Sequence, residues 1–244
     1  MAGEQGYLYE KKCNTLLNKA GLLPKSLNSY GGSNNTVPDG EFKYKVNQKY
    51  INFKIEYKLD ITADLGQASL DYNMKTKKWL ITGKNTPEAI EIQKLMISAG
   101  VETMINSAEG WGNLGPPNKY KVSAVDKKIK VTKKQAEDDY KIFSNKFIAI
   151  KKGAVNKYYA AKHNYYIQIG EKGFYYMQSN PADLDIPRFN PDLRVRVRLK
   201  AGGSGLQGSD YWNYRFSVAL QAVNAKQIPK SSHSLDTSVS FLIS

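Results

Sequence analysis

An α/β fold is the architecture this sequence predicts, and three features carry it. A helix-periodic run over residues 6–20 is followed by strand-like stretches near 41–46 and 51–60. A second helix begins at Thr86-Pro87-Glu88, where proline takes the first helical position behind a threonine cap. Beyond Gly110–Pro117, a Gly/Pro-rich break (GWGNLGPP), the chain turns basic and alternates short helical and strand-like segments. A core over residues 1–110 and a basic α+β elaboration over residues 111–244, able to pack into one domain, is the expected organisation.

Residues 6–20 place Leu8, Tyr9, Cys13, Leu16, Leu17 and Ala20 on one helical face, and Gly21 and Pro24 close the helix. Glu10 stands at the edge of that face, where it can look inward or form a solvated rim. Residues 26–40 are a Ser/Asn/Gly-rich loop ending at Asp39. Asn52–Asp60 alternates strictly, with Phe53, Ile55, Tyr57 and Leu59 on one face and Lys54, Glu56, Lys58 and Asp60 on the other. Residues 66–72 and 78–82 predict a hairpin turning at 73–77. The helix from residue 86 runs through IEIQKLMISAG and continues past Gly100. A further helix is predicted near 133–150 from Tyr140, Phe143, Phe147 and Ile150. Residues 158–177 carry seven aromatic rings around a Gly170–Gly173 turn, a pattern that more often packs a core than stacks bases. In RVRVRLK, Arg194, Arg196, Arg198 and Lys200 share one strand face, opposite Val195, Val197 and Leu199. Gly203–Gly208 has dinucleotide-fingerprint spacing, but a strand-like segment follows where that motif needs a helix; it reads as a hairpin loop.

Composition narrows the function. The net charge of +14 favours a polyanionic partner, nucleic acid before an anionic membrane surface. Between residues 119 and 157 twelve lysines face four acids, which makes that segment a phosphate-contacting candidate. Four cations on the face of residues 194–200 repel one another unless a polyanion lies across them; the alternative is an edge strand kept soluble by charge. One cysteine, Cys13, excludes an intrachain disulfide and a thiol-rich zinc site, and His163 and His233 stand in no metal-ligand pattern. The N-terminus MAGEQGYLYEKK has no signal-peptide pattern and no apolar stretch approaches a membrane span, so a cytoplasmic protein, or one acting in a host's cytoplasm, is expected.

The chemistry concentrates at Pro38-Asp39 and Glu56-Tyr57-Lys58. Two carboxylates and a lysine at this spacing are the parts of a metal-dependent phosphodiesterase. Mg²⁺ is a hard cation that one or two carboxylates can hold while it keeps several waters. A lysine beside it can orient or deprotonate the attacking water and offset developing negative charge. Removing one of two clustered carboxylates should relieve repulsion in the metal-free state. A Glu-x-Lys pair alone is common on half-buried strands; the upstream Pro-Asp, the helical Glu10 and the basic charge give it weight.

These residues resemble the PD-(D/E)XK nuclease superfamily, which includes restriction enzymes, Holliday-junction resolvases and phage exonucleases. The resemblance spans about the first 100 residues. It implies a restriction-endonuclease-like core: a helix, a mixed central sheet of about four strands and a second helix. It further implies that Asp39 and Glu56, with the Tyr57 backbone carbonyl, ligate Mg²⁺ (Mn²⁺ able to substitute), and that Lys58 positions the water. Glu10 matches a helix carboxylate that many members add. Gln67 resembles the supporting glutamine of the exonuclease-like and resolvase-like branches, although Gln67 to Tyr72 is one residue longer than the RecB-type spacing. Asp60 adds a further acid to the Glu56 face. The expectation is therefore a Mg²⁺-dependent DNA endonuclease of phage or mobile-element type acting on double-stranded DNA. A recombination exonuclease or junction resolvase, and a non-catalytic basic nucleic-acid-binding protein, are the alternatives. Enzymes that cut two strands are commonly homodimers, and the sequence identifies no interface.

Overall fold

The computed structural model describes residues 2–31, 37–73, 76, 78–81, 86–107, 121–122, 129–142, 145–201, 211–224 and 227–243. The chain is mixed α/β and divides into two compact units interleaved along the sequence. The first comprises Met1–Ala63, Lys152–Asp192 and Ala222–Ser244; the second comprises Asp64–Lys151 and Leu193–Gln221. The sequence suggested one contiguous boundary near residue 110; instead the chain leaves the first unit after Ala63 and returns to it at Lys152. The Gly110–Pro117 break lies outside the described residues.

In the first unit, α1 (Ala2–Lys19) precedes a hairpin of β1 (Gly40–Val46) and β2 (Lys49–Lys58). Asn47 and Gln48, at φ 49° and 65°, form the two-residue turn, both in the left-handed conformation that matches the strand twist of a tight hairpin. That turn fixes the register: Val46 faces Lys49, Phe42 faces Phe53 and Gly40 faces Ile55. Later in the chain come α5 (Ala154–Ala161), β8 (Asn164–Ile169) and β9 (Gly173–Tyr176). The sheet order is β1-β2-β8-β9. β2 and β8 run parallel and the other neighbours antiparallel, so the sheet is mixed. One irregularity between Lys54 and Ile55 leaves Tyr165 unmatched, which re-aims the strand next to Glu56.

The sheet buries both faces. On one, Cys13 and Leu17 of α1 pack with Phe42, Phe53, Ile55, Tyr57, Tyr166 and Phe174. The rings of Tyr166 and Phe174 stack at 5.5 Å and Phe42 meets Tyr166 edge-on at 5.3 Å. The aromatic density of residues 158–177 thus packs the core. The opposite face carries Ile167 and Ile169 beside α5, whose Val155 and Tyr159 are buried.

The second unit holds β3 (Gly66–Asn73), β4 (Lys78–Ile81), β7 (Asn145–Ile150), β10 (Asp192–Ala201) and β11 (Tyr211–Val223), in the order β4-β3-β11-β10-β7. Short strand β6 (Ile129–Thr132) pairs with β11, and β5 (Lys121–Val122) pairs with β6. Its helices are α2 (Pro87–Ser98), α3 (Val101–Asn106) and α4 (Lys133–Ile142). Thr86 caps α2 by accepting a hydrogen bond from the Ala89 N–H, as the sequence predicts. The single helix expected over 133–150 is instead helix α4 followed by strand β7. Pairing of Asn145–Ile150 with β10 overrides the helical spacing of Phe147 and Ile150. Gly203–Gly208 lies outside the described residues.

Candidate functional site

The site grows from the β1–β2 register. Gly40 faces Ile55, so Asp39, one residue earlier, comes level with Glu56 on the same face. The Tyr57 backbone N–H donates to Asp39 Oδ2 at 3.0 Å. Asn14 of α1 fixes the same corner: its Nδ2 donates to the Asp39 carbonyl at 2.8 Å, and its Oδ1 accepts from the Tyr57 hydroxyl at 2.8 Å. This close approach dictates the glycine after Asp39. A Cβ on Gly40 would run into the Tyr57 hydroxyl and stand 2.6 Å from Asn14 Oδ1.

Glu56 is buried and surrounded by donors. Lys58 Nζ lies 2.8 Å from Oε1; Lys162 Nζ lies 3.0 Å from Oε2 and Asn164 Nδ2 2.9 Å from it. Tyr159 also donates its hydroxyl to Glu56. Lys162 and Asn164 arrive together because α5 ends there. His163 takes the left-handed conformation, φ 56°, that turns the helix into β8. The Lys162 ammonium also sits over the rings of Tyr158 and Tyr159, at 5.5 and 5.6 Å.

The two carboxylates are driven apart electrostatically. Burial and then the charge of Glu56 push Asp39 up to about 7, against the pull of Lys58 and the Tyr57 N–H. Burial works against ionising Glu56, but Lys58 and Lys162 outweigh it and hold it below the usual glutamate value. Burial likewise opposes a charged Lys58, and Glu56 and Asp39 outweigh it, so Lys58 is held above its ordinary value. One acid is ionised and saturated; its neighbour sits close to neutral pH.

Of the sequence candidates, Asp39, Glu56, Tyr57 and Lys58 come together. Glu10 joins them at longer range: its Oε2 is buried beside Gly31, and its charge acts on Asp39 and Tyr57. Gln67 belongs to the second unit, exposed on β3 opposite Ala219. Asp60 turns back on its own loop, accepting from the Thr62 N–H at 2.6 Å. Lys162, Asn164, Tyr159 and Asn14 are the participants that sequence reasoning missed. Three of them lie more than a hundred residues from Glu56, and no spacing rule connects them.

Arg194, Arg196 and Arg198 lie on β10, and Lys200 belongs to the same strand. The buried Val195, Val197 and Leu199 confirm the alternation. β10 is not an edge strand, since β11 and β7 flank it. Arg196 pairs with Asp64 at 2.7 Å, and Asp64 also accepts from Gln221 Nε2 at 3.0 Å. Arg194 donates to Gln221 Oε1 at 3.2 Å and lies 3.9 Å over the Phe147 ring.

Among the described residues no group of three or more His, Cys, Asp or Glu stands at metal-holding spacing, and no helix is long and apolar enough to cross a membrane. Compared with known families, curated proteins and solved structures, the chain matches none.

Proposed function

We propose that the first unit is a Mg²⁺-dependent phosphodiesterase that cuts double-stranded DNA internally. The observation that carries this reading is the hairpin register that levels Asp39 with Glu56 and Lys58 in a mixed four-stranded sheet. The helices α1 and α5 on its two faces support this reading, although the second helix comes from Ala154–Ala161 and not from the segment after residue 86, where the sequence places it.

The donor set fits a hard divalent cation. It comprises two carboxylates and the Tyr57 carbonyl, all oxygen, and Asp39 is an acid that a nearby cation would help to ionise. Mg²⁺ bound there would supply an acidified water and charge neutralisation at the phosphate. The chain's own residues do the rest. Asp39 and Glu56 hold the cation, and the Tyr57 N–H and Asn14 keep the Asp39 corner rigid. Lys58 orients the water and stabilises negative charge as it develops. Lys162 and Asn164 fix the Glu56 carboxylate from the side away from Lys58.

One observation favours a second reading. Glu56 already accepts from four donors, the full capacity of a carboxylate, so ligating a metal requires Lys58 or another donor to let go. A purely structural ion cluster in a basic nucleic-acid-binding protein has the same appearance. Supercoiled plasmid, Mg²⁺ and purified protein, with Glu56→Ala as control, separate the two. Nicked or linear product from the wild type alone, abolished by chelation, supports the endonuclease. Intact plasmid with rapid loss of linear duplex shifts the reading to an exonuclease. Binding without cleavage of plasmid, linear duplex or branched junctions supports the non-catalytic reading.

A further inference from the structure

The β1–β2 hairpin reaches beyond its sheet. β2 pairs with β8 only from Lys54 onward, so from Lys49 to Phe53 its sole strand partner among the described residues is β1, itself an edge strand. Residues 42–55 contain four lysines and no acid. Tyr50 is 67% exposed and Ile51 42% exposed at the end of this two-stranded ribbon. The register gives it a direction. The face bearing Asp39 and Glu56 continues through Glu41 and Lys54, then Lys43 and Asn52, then Lys45 and Tyr50. Lys43 Nζ lies 5.1 Å over the Tyr50 ring. Six residues from Glu56 to Tyr50 span roughly 20 Å.

We propose that this ribbon is a nucleic-acid-binding arm that holds a duplex along the face leading to the acid-lysine cluster, through Lys43 and Lys45 on phosphates and Tyr50 against sugar. Along roughly 20 Å of duplex axis about a dozen phosphate charges are available to these lysines. Lysines alone have another use, to keep an exposed strand edge from pairing with other chains. That use leaves the exposed Tyr50 and Ile51 unexplained, because apolar groups on an open edge invite such pairing. A duplex, which offers phosphate oxygens to the lysines and sugar edges to the ring, accounts for both the one-sign charge and Tyr50. The proposal rests on nucleic acid being the partner of this protein and does not require cleavage.

The experiment is fluorescence anisotropy of a labelled duplex of two helical turns with the full chain in EDTA, titrated over a series of salt concentrations. The ribbon variant is Lys43→Gln, Lys45→Gln. A charge-matched control, Lys11→Gln, Lys12→Gln, removes two lysines from α1. Tyr50→Ala alone tests the ring without changing charge. The ribbon variant is expected to lose at least roughly tenfold in affinity and about two units of salt slope, at about 0.9 per lost phosphate contact. The control loses less than half of that, and Tyr50→Ala weakens binding with the slope unchanged. Equal losses in ribbon and control variants, or an unchanged ribbon variant, overturn the proposal. So does a wild type that binds no duplex, or a ribbon variant whose only change in sedimentation and anisotropy is loss of self-association. Ribbon-dependent binding without Mg²⁺-dependent cleavage supports the arm while removing the nuclease reading.

Discussion

Strand β2 reads Lys54-Ile55-Glu56-Tyr57-Lys58 and strand β10 reads Arg194-Val195-Arg196-Val197-Arg198. Each alternates a cation with an apolar residue, except that β2 has an acid at its centre. In β2 the acid collects its flanking Lys58 and the distant Lys162, and the face closes over as a buried cluster. In β10 the counter-charge comes from outside the strand, from Asp64 to Arg196, and the neighbouring arginine is shared between Gln221 and Phe147. The same period-two pattern therefore builds a compact reactive cluster in one place and a partly neutralised, half-exposed cationic face in the other. Where the balancing carboxylate comes from decides which.

The largest effect expected from breaking this contrast is at Glu56. Glu56→Ala leaves two mostly covered ammonium groups without their buried counter-ion, so it should abolish any cleavage and cost about 3–5 kcal/mol of stability. The simple expectation that removing a clustered carboxylate relieves repulsion thus fails at Glu56, whose cations outnumber it. It holds at Asp39: Asp39→Asn keeps the Tyr57 contact, should stop cleavage by at least about 10²-fold, and should leave the folded state as stable as wild type or more so. Urea melts of both variants check the pair, and equal destabilisation would mean that Glu56 is not the anchor described.

In the second unit the corresponding break is Asp64→Ala. Arg196 and Asp64 are each about a quarter or less exposed, so their pairing is worth more than a surface salt bridge and less than the Glu56 cluster. Loss of about 1–3 kcal/mol is expected, because Arg196 and Gln221 both lose an acceptor. Asp64→Asn, which retains a hydrogen-bond acceptor, should lose less. A stability change below the error of a denaturant melt would make β10 a freely solvated face.

Much of this contrast was legible in the sequence and some was not. Alternation is local, so it correctly placed Tyr57 inward and Arg194, Arg196 and Arg198 on one face. The Asn47–Gln48 turn, which the sequence analysis did not single out, sets the register that brings Asp39 to Glu56. Lys162 and Asn164 enter through a parallel pairing of β2 with β8 across an inserted unit, and Asp64 reaches Arg196 across 132 positions. Such partners depend on tertiary topology, which no single-strand period encodes. Phe147 shows the converse error: its helical spacing with Tyr140 and Phe143 was real, but strand pairing with β10 decided its conformation.

The pH dependence of stability sharpens the reactive half of the comparison, with a smaller effect. Asp39 has a folded value raised to about 7, above its unfolded value near 4. A raised acid binds its proton more tightly when folded. Its contribution to stability is full below about pH 4 and is lost as the pH rises toward 7. Glu56, held low, acts oppositely, and its contribution is lost as the pH falls below the ordinary glutamate range. The melting temperature of wild type relative to Asp39→Asn should therefore fall between pH 4 and 7. Mg²⁺ at pH 7.5 should raise the melting temperature of wild type and leave Asp39→Asn unmoved, since binding to the folded state alone stabilises it. A flat difference across that pH window would remove the carboxylate coupling.

The smallest expected change concerns the arginines themselves. Before their surroundings are known, replacing Arg194, Arg196 and Arg198 by alanine should remove up to about three units of salt slope, one for each phosphate contact. The structure lowers that expectation. Arg196 is committed to Asp64, and engaging a phosphate would require breaking a 2.7 Å ion pair. Arg194 is held by Gln221 and by the Phe147 ring, which leaves it partly available. Arg198 is half-buried, with its Nε lacking a hydrogen-bond partner, and no acid pairs with it among the described residues. The triple variant is therefore expected to reduce the slope by about one unit, and most of that change should reappear in Arg198→Ala alone. Arg196→Ala alone should leave the slope unchanged and lower the melting temperature, because it strands Asp64. Three equal single-variant losses in slope would show that Asp64 releases Arg196 to the nucleic acid, and β10 would then be a full phosphate-binding face.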